Sequence, residues 1–178
     1  VNTKKFFKDY LKELTGYAYE KFIPNIYKKG SIKQRYELLQ GLMDTDGSIV
    51  DNKYLTMRFT STSLQLIEDI KEIVYSLGYS HLAVTIDKRE EKYTTKECYN
   101  LYFSIPNNEK YKFFSLSRKK QIALKGENRV TRTRYDRLAI DKIEKMPEPQ
   151  EMVCIYVDNE EHLYLTNDYI VTHNTTLV

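Results

Sequence analysis

The chain has 178 residues, of which 41% are hydrophobic and 30% are charged, a composition typical of a globular protein rather than a disordered one. No apolar run approaches the roughly 20 residues that a membrane-spanning helix needs, and the charged opening "VNTKKFFKDYLKEL" does not have the pattern of a signal peptide. The cysteines Cys98 and Cys154 do not have the spacing of a disulfide scaffold or a zinc site. We therefore expect a soluble protein in a reducing cytoplasm, with no membrane as a partner.

Charge is distributed unevenly along the chain. Residues 1–130 carry 23 basic and 16 acidic residues, whereas residues 131–178 carry 5 and 9, so the net charge changes from +7 to −4. The densest basic stretch, from Lys110 to Arg137, has ten basic residues and two acidic ones. A solvated surface and a phosphate-binding face explain such a stretch about equally well. The asymmetry predicts two modules with different partners.

Four helices are predicted in the first 125 residues. Apolar residues at helical spacing indicate them over "KKFFKDYLKEL", over "IKQRYELLQGLMD" after the capping residue Ser31, over "LQLIEDIKEIVYSL", and from about Lys110 to Leu124. Thr62 to Gln65 has the form of a capping box that starts the third helix, and Gly78 ends it.

Strands are predicted between these helices and again after Tyr135. Period-two alternation indicates a hairpin over "SIVDNKYLTMRFTS", with Leu55, Met57 and Phe59 on its buried face, and a second hairpin over "HLAVTIDKRE" and "CYNLYFSIP". The last part of the chain contains four short strand patterns, "AIDKIEKM", "MVCIYVD", "HLYLT" and "YIVTH".

Two acidic residues end the second predicted helix in the stretch "LLQGLMDTDGSI". Its apolar face does not account for Asp44, Asp46 or Gly47. Gly41 lies in mid-helix, where glycine costs about 1 kcal/mol relative to alanine, and a residue this small lets a second helix pack closely. Carboxylates at the end of such a seam favour a hard divalent ion such as Mg²⁺. An Asp-Gly turn that leads into a hairpin is the simpler alternative.

The string Leu39 to Gly47, "LQGLMDTDG", resembles the LAGLIDADG motif of homing endonucleases, and the order of helices and hairpins is similar to half of that family's domain. The resemblance implies an α+β fold in which helices pack on an antiparallel sheet whose other face reads the major groove of double-stranded DNA. It implies that Asp46 binds a catalytic Mg²⁺ ion. It also implies that Lys119, or its neighbour Lys120, stabilises the charge of the transition state. The side chains that would face DNA are Ser48, Thr56, Arg58, Thr60, Thr85 and Arg89.

The resemblance departs from the family in one respect. Family members need two such motifs, from two halves of one chain or from a homodimer, and only one motif occurs here. The preceding stretch "EKFIPNIYKKGSIKQR" is similar to the link before a second motif. We therefore expect residues 1–130 to be the second half of the endonuclease and a first half to be its partner.

The stretch "VCIYVDNEEHLYLTNDYIVTHN", followed by Thr175, resembles the C-terminal splicing blocks of an intein, which end the strands of its Hint domain. The resemblance implies that Asn174 cyclises and cuts the chain after itself, with His173 as the adjacent acid and His162 acting from the neighbouring strand. Thr175 would accept the upstream segment as an ester. Splicing of this kind needs no cofactor. Cys154 falls near the junction, where a supporting role and a buried strand thiol are about equally expected.

These resemblances divide the chain into residues 1–130 (endonuclease segment), 131–174 (C-terminal part of the splicing domain) and 175–178 (start of the host protein, or C-extein). The last four residues, "TTLV", read like the tail of a phosphate-binding loop interrupted after its lysine. A P-loop ATPase is therefore the expected host, and a phage terminase in an infected bacterial cell is the specific expectation.

Several alternatives stay open. The front block of the splicing domain is expected from a separate N-terminal intein fragment or from a contiguous chain of which this is a piece. A free-standing endonuclease and a DNA-binding module that does not cut are the competing functions. The terminal "THNT" favours splicing over the free-standing enzyme, and Asp46 with Lys119 favours cutting over binding alone.

Overall fold

A computed structural model describes residues 16–79, 82–87, 97–126, 142–149, 151, 153 and 155–173. The chain divides into two compact units, Val1–Tyr135 and Asp136–Val178. The predicted helix before Gly16 lies outside the described residues. The boundary predicted at residue 130 also lies outside them and stays a prediction.

The motif helix of the first unit is fixed at its start by two reciprocal hydrogen bonds. After the short helix α1 (Asn25–Lys28), helix α2 runs over Ile32–Thr45. The amide of Gln34 donates to Ser31 Oγ at 3.3 Å, and the amide of Ser31 donates to Gln34 Oε1 at 2.9 Å, so each side chain satisfies an amide that the first turn leaves without a partner. The predicted cap is confirmed. Asp46 is the residue that follows the helix as its C-terminal cap, and Gly47 begins the first strand.

Four antiparallel strands form the sheet of the first unit, and its order is β1-β2-β4-β3. Their bounds are Gly47–Val50 (β1), Thr56–Ser61 (β2), Ala83–Asp87 (β3) and Cys98–Phe103 (β4). The predicted alternation is confirmed, because Leu55, Met57 and Phe59 are buried. Successive side chains of a strand point to opposite faces, so the residues between them face outward.

Helix α3 (Leu64–Ser76) covers the inner face of this sheet with Ile67, Ile70 and Ile73, which are fully buried. The capping residue is Ser63, so the prediction that Thr62 opens the helix is wrong by one position. Ser63 Oγ accepts the amide of Leu66 at 3.1 Å and donates to the carbonyl of Lys21 at 2.5 Å. The second contact favours Ser63 over Thr62 as the capping residue, because it ties the start of the helix to the segment before α1. Gly78 follows the helix with φ of +85°, as the sequence predicts.

The helix predicted from Lys110 to Leu124 is two elements. A 3₁₀ segment covers Lys110–Phe113, and helix α4 covers Ser117–Leu124. Phe113 and Phe114 are both buried in the core, and Phe114 adopts an extended conformation between the two elements. One continuous helix is excluded because the chain turns there to bury both rings and to bind the end of α2.

Two buried charges anchor loops to this core. Asp69 on α3 accepts the amide of Ile23 at 2.7 Å and the ammonium of Lys28 at 2.8 Å, which holds the segment before α2 against α3. Lys110, which is fully buried, donates to the carbonyl of Tyr54 at 2.5 Å and to Asn107 Oδ1 at 2.6 Å. Burial lowers the pKa of Lys110 to about 8.

The second unit contains one hairpin among its described residues, formed by β5 (Leu163–Leu165) and β6 (Val171–His173). The turn between them is a 3₁₀ segment over Asn167–Tyr169, with φ of +58° at Asp168 and at Tyr169. The strands predicted over "AIDKIEKM" and "MVCIYVD" are absent from the parts of them that the structure describes. An extended segment becomes a strand only when its backbone pairs with another strand, and no partner pairs with these parts.

None of the helices in the described ranges is long and apolar enough to cross a membrane.

Candidate functional site

Asp44 joins the end of the motif helix to the start of α4. Its carboxylate accepts the amide of Ser115 at 3.0 and 3.1 Å, the amide of Leu116 at 3.2 Å, and the hydroxyl of Ser115. Leu116 is the residue just before α4, so Asp44 supplies from another helix the acceptor that a capping side chain normally supplies. Partial burial acts to raise the pKa of Asp44, but the hydrogen bonds from Ser115 and Leu116 and the nearby ammonium of Lys119 hold it below its usual value.

Asp46 lies two residues later and has a different environment. It is exposed and follows the last turn of α2, where its amide donates to the carbonyl of Leu42 at 3.1 Å. Among the described residues its carboxylate has no hydrogen-bond or ion-pair partner. A carboxylate at the carbonyl end of a helix is also disfavoured by the helix dipole. No contact within the described part of the chain therefore explains why an aspartate stands here.

Lys119 on α4 caps the end of the motif helix. Its ammonium donates to the carbonyls of Gly47 at 2.6 Å, Met43 and Asp44 at 2.8 Å each, and Thr45 at 3.3 Å. The carbonyls of the last turn of a helix have no N–H partner within the helix, and a cation there is favoured by the dipole. Burial and the neighbouring Arg118 lower the pKa of Lys119, against the opposing effect of Asp44 and Asp46.

The structure thus brings together the two residues predicted for cutting, Asp46 and Lys119, at one end of the motif helix. The contacts of Lys119 are structural, and a role at the transition state stays a prediction. Lys120 is exposed and lies 5.7 Å from the ring centroid of Tyr111, without a contact to the end of α2 in the described hydrogen bonds.

The fit of a metal ion at this end of α2 depends on the carboxylates that lie there. Among the described side chains, no three histidines, cysteines, aspartates or glutamates come together as a metal site. Mg²⁺ keeps several water ligands and is commonly bound by one or two carboxylates together with substrate phosphates. The carboxylate of Asp46 has the chemistry of one such ligand position.

The outward face of the sheet carries the side chains predicted to face DNA. Ser48 and Arg58 are register partners, and Arg58 Nε donates to Ser48 Oγ at 3.1 Å. Thr60 donates to Asn100 Oδ1 at 2.7 Å, and Asn100 pairs in register with Thr85, which is exposed.

Thr56 bonds to Asn52 in the turn between β1 and β2. Arg89 lies outside the described residues.

Two outward residues on β4 were missed from the sequence, Asn100 and Tyr102. The register pairs Tyr102 with Arg58 and Asn100 with Thr60, so both lie on the same face as the predicted set. The signal was present, because Leu101 and Phe103 are the buried apolar residues of the segment "CYNLYF" and alternation places Asn100 and Tyr102 on the opposite face. Asn100 is nevertheless buried on that face, at 6% exposure.

An apolar surface lies beside the motif helix. A side chain at Gly41 would meet no atom of the described residues within 4 Å, so the predicted close approach has no partner among them. A cavity of about 590 Å³ lies between α2 and the segment before it, and its lining includes Phe22, Tyr27, Leu38 and Leu42. We use "motif-helix surface" for Gly41 and these four residues.

The second unit places two of the predicted splicing residues near one end of its hairpin. Leu163, which follows His162, pairs in register with His173. The imidazole Nδ1 of His162 lies 2.9 Å from the carbonyl of Val157. Because a carbonyl can only accept, the contact requires a proton on Nδ1, which leaves Nε2 as the acceptor in the neutral ring. Cys154, Asn174 and Thr175 lie outside the described residues.

The second unit also exposes apolar side chains. Ile143 and Val153 are each 85% exposed and Tyr156 is 82% exposed, and none of the described residues from 142 to 173 is buried. Residues of this kind normally face a core or an interface.

Comparison with known proteins gives two findings. Residues 33–115 match the family described as "LAGLIDADG-like domain". The chain is 37% identical over 166 residues to the replicative DNA helicase DnaB of Mycobacterium intracellulare, an alignment that covers 91% of this chain and 27% of the helicase. The chain thus spans about a quarter of the length of this relative. The segment that contains the motif helix and the four-stranded sheet is therefore similar to a LAGLIDADG-like domain.

Proposed function

We propose that the first unit is one half of a DNA-cleaving homing endonuclease of the LAGLIDADG type. The observation that carries this proposal is the contrast between the two motif carboxylates. Asp44 is used by the fold, since it binds Ser115 and Leu116, whereas Asp46 is exposed and has no partner among the described residues. A turn that only reverses the chain needs no free carboxylate at this position. The match of residues 33–115 to a LAGLIDADG-like domain supports the same conclusion and indicates a DNA-binding module.

In this proposal Asp46 holds one ligand position of a Mg²⁺ ion next to the scissile phosphate. The ion would supply Lewis-acid stabilisation of the phosphate charge. Lys119 fixes the backbone from Met43 to Gly47 and so sets the direction in which Asp46 points. It also adds positive charge close to the same carboxylate. The outward face of the sheet, with Arg58 at its centre, contacts the DNA.

A second half completes the site in this proposal, and the motif-helix surface is where it binds. Among the described residues no atom lies within 4 Å of a side chain placed at Gly41, and Leu38 and Leu42 line the neighbouring cavity. A partner helix packed there would cover these apolar groups and bring a second carboxylate to Asp46. The alternative of a DNA-binding module that does not cut has the same sheet, and only cleavage assays separate the two.

For the second unit we propose a role as the C-terminal part of a protein-splicing domain. Leu163, the residue after His162, pairs in register with His173, the residue before Asn174 in the sequence. With its proton on Nδ1, His162 has a lone pair on Nε2 that can accept a proton. The exposed apolar groups of this unit, such as Ile143 and Tyr156, are what an N-terminal splicing segment would cover.

The proposed reaction uses four of the predicted residues in order. Thr175 Oγ attacks the acyl carbon that joins the upstream segment to the first residue of the splicing element. The bond to that residue breaks, the leaving group takes up the hydroxyl proton, and the acyl group stays on Thr175 as an ester. The side-chain nitrogen of Asn174 then attacks its own carbonyl carbon, the bond to Thr175 breaks, and the freed amine of Thr175 takes a proton. His173 and His162 are the groups that would supply or accept protons in this step. The ester finally shifts to the amine and leaves a normal peptide bond.

The proposed host is a nucleotide-hydrolysing protein into which the element is inserted before Thr175. The relative has the printed name of a replicative DNA helicase, which favours a helicase over the terminase expected from the sequence.

One pair of assays tests the proposal. The chain is titrated with duplex DNA at several salt concentrations, and binding should weaken steeply as salt rises because lysine and arginine displace condensed counterions. With a first half added, Mg²⁺-dependent cleavage should appear, and Asp46→Asn should remove cleavage and leave binding intact. Asp44→Asn, which removes the other carboxylate of the same motif, is the matched control for Asp46→Asn. Binding that is absent or independent of salt would overturn the DNA role, and binding without cleavage would leave the non-cutting alternative.

A further inference from the structure

Arg58 occupies the middle of the outward face of the sheet. It lies on β2, an interior strand of the order β1-β2-β4-β3. Its register partners are Ser48 on β1 and Tyr102 on β4, and Tyr102 pairs in turn with Ala83 on β3. One row across all four strands therefore presents a single long cation between small or aromatic neighbours.

Only some of the N–H donors of this arginine have a hydrogen-bond partner among the described residues. Nε donates to Ser48 Oγ at 3.1 Å, which fixes the plane of the guanidinium group. Within the described residues, the four N–H groups on its terminal nitrogens have no hydrogen-bond or ion-pair partner. A half-buried guanidinium with a fixed plane and an unused pair of nitrogens suits a ligand with two adjacent acceptors.

We propose that Ser48 and Arg58 form a guanine-reading pair, in which Arg58 contacts the base and Ser48 positions the guanidinium. The inference rests on the proposed DNA-binding function of the sheet and names the base that it selects. In the major groove, guanine offers the neighbouring acceptors N7 and O6, whereas adenine offers one acceptor and one donor, and thymine offers one acceptor beside a methyl group. A group that can only donate therefore prefers guanine. The accepting role of Ser48 leaves its hydroxyl proton free, so Ser48 can add a donor beside the guanidinium group.

A phosphate contact is the competing use of the same arginine, and the two uses predict different measurements. If Arg58 contacts a phosphate, its replacement weakens binding to all duplexes equally and lowers the salt dependence of binding by about one counterion. A base contact affects one position of one sequence. The central place of Arg58 in the sheet and its fixed plane favour the base, because phosphates flank the groove rather than lie over its middle.

The test begins with selection of binding sites for the 178-residue chain from duplexes that contain a randomised tract. The same selection is run with Arg58→Ala, Arg58→Lys, Ser48→Ala and Ser48→Thr, and with Thr85→Ala as a control on the same face. We expect one guanine to be required by the wild type and by Thr85→Ala. Replacing this guanine with adenine should weaken wild-type binding by roughly 5- to 150-fold, the ratio that corresponds to 1–3 kcal/mol of discrimination.

The variants report which group reads the base. Arg58→Ala and Arg58→Lys should both lose the preference, because lysine keeps the charge but not the fork. Ser48→Ala should lose part of it, and Ser48→Thr should keep it, because the hydroxyl is retained. In the selected duplex, 7-deazaguanine, which lacks N7, should weaken wild-type binding but not that of Arg58→Ala. Inosine, which lacks only the amino group in the minor groove, should change neither.

Two outcomes would overturn the inference while the DNA-binding function stands. One is a selected site in which no guanine affects binding in a way that depends on Arg58. The other is an Arg58→Ala variant that binds every duplex equally more weakly with a smaller salt dependence, which identifies a phosphate contact. If the chain binds no duplex at low salt, the proposed function itself fails and the inference fails with it.

Discussion

Removal of Asp44 should lower the stability of the fold and removal of Asp46 should leave it nearly unchanged, although only one residue separates them. In Asp44→Ala, the amides of Ser115 and Leu116 lose their acceptor and Lys119 loses a nearby negative charge. Loss of a helix cap costs about 1 kcal/mol and up to 2, and hydrogen bonds to a charged group are worth more than neutral ones. We expect a loss of about 2 kcal/mol in the free energy of unfolding, or roughly 4–8 °C in Tm for a chain of this size.

Asp46→Ala should leave stability within about 0.5 kcal/mol of the wild type, because its carboxylate is exposed and stands at the carbonyl end of a helix. Urea unfolding followed by circular dichroism measures both variants. Equal destabilisation by the two substitutions would refute the division of roles between the carboxylates.

The same contrast has a dependence on pH. The pKa of Asp44 in the folded chain lies below its ordinary value of 3.8, so the unfolded chain takes up the proton first as the pH falls. The stabilisation by Asp44 is therefore complete well above pH 3.8 and is lost as the pH falls below it. In Asp44→Asn this acid-dependent part of the unfolding free energy should be missing, and in Asp46→Asn it should be retained.

Other predictions follow from buried charges and from the hairpin of the second unit. Because the pKa of Lys110 is about 8 in the folded chain and 10.5 when unperturbed, the wild type should gain about 3 kcal/mol of stability as the pH rises from 8 towards 10.5. Urea unfolding of Lys110→Met across that range should show no such gain. Asp69→Ala should destabilise the first unit by roughly 3 kcal/mol, because it leaves the ammonium of Lys28 without its buried partner. Glu72→Ala, which removes the more exposed partner of the same lysine, should cost less than about 1 kcal/mol. When an N-terminal splicing segment is supplied, Asn174→Ala should block release of the peptide after it, and intact-mass measurement that finds this peptide would contradict the proposed cyclisation.

Much of the first unit could be predicted because its local patterns agree with its tertiary contacts. Met57 and Phe59 alternate with polar residues on an interior strand. Because a helix covers one face of the sheet, this alternation determines which side chains point towards the core. The start of α2 was predictable for a similar reason, since Ser31 and Gln34 cap each other without help from the rest of the chain.

The errors occur where a distant contact decides the local structure. Ser63 rather than Thr62 caps α3 because Ser63 also reaches the carbonyl of Lys21. The helix predicted after Lys110 breaks because the amide of Ser115 binds Asp44, 71 residues earlier in the chain.

The same limitation applies to the candidate site. The sequence indicates two carboxylates and a lysine, but spacing cannot tell which carboxylate the fold uses. Nor can it show that Lys119 binds the carbonyls at the end of the motif helix. The burial of Lys110 has no local signal, because lysine in a basic stretch is normally solvated.

The hydrogen bond between Thr60 and Asn100 has a consequence for how the sheet folds. It joins residues 40 positions apart, so strands β2 and β4 must close a long loop before they pair, and such non-local pairing is slow compared with formation of a helix or a hairpin. Helix α3 lies inside that loop and can form first. A slip of one residue between β2 and β4 would exchange the two faces of a strand. Thr60 would then face the core, where Phe59 belongs, and its hydroxyl would lose Asn100. The bond therefore selects the correct register during folding, and we expect chains without it to spend longer in mispaired intermediates.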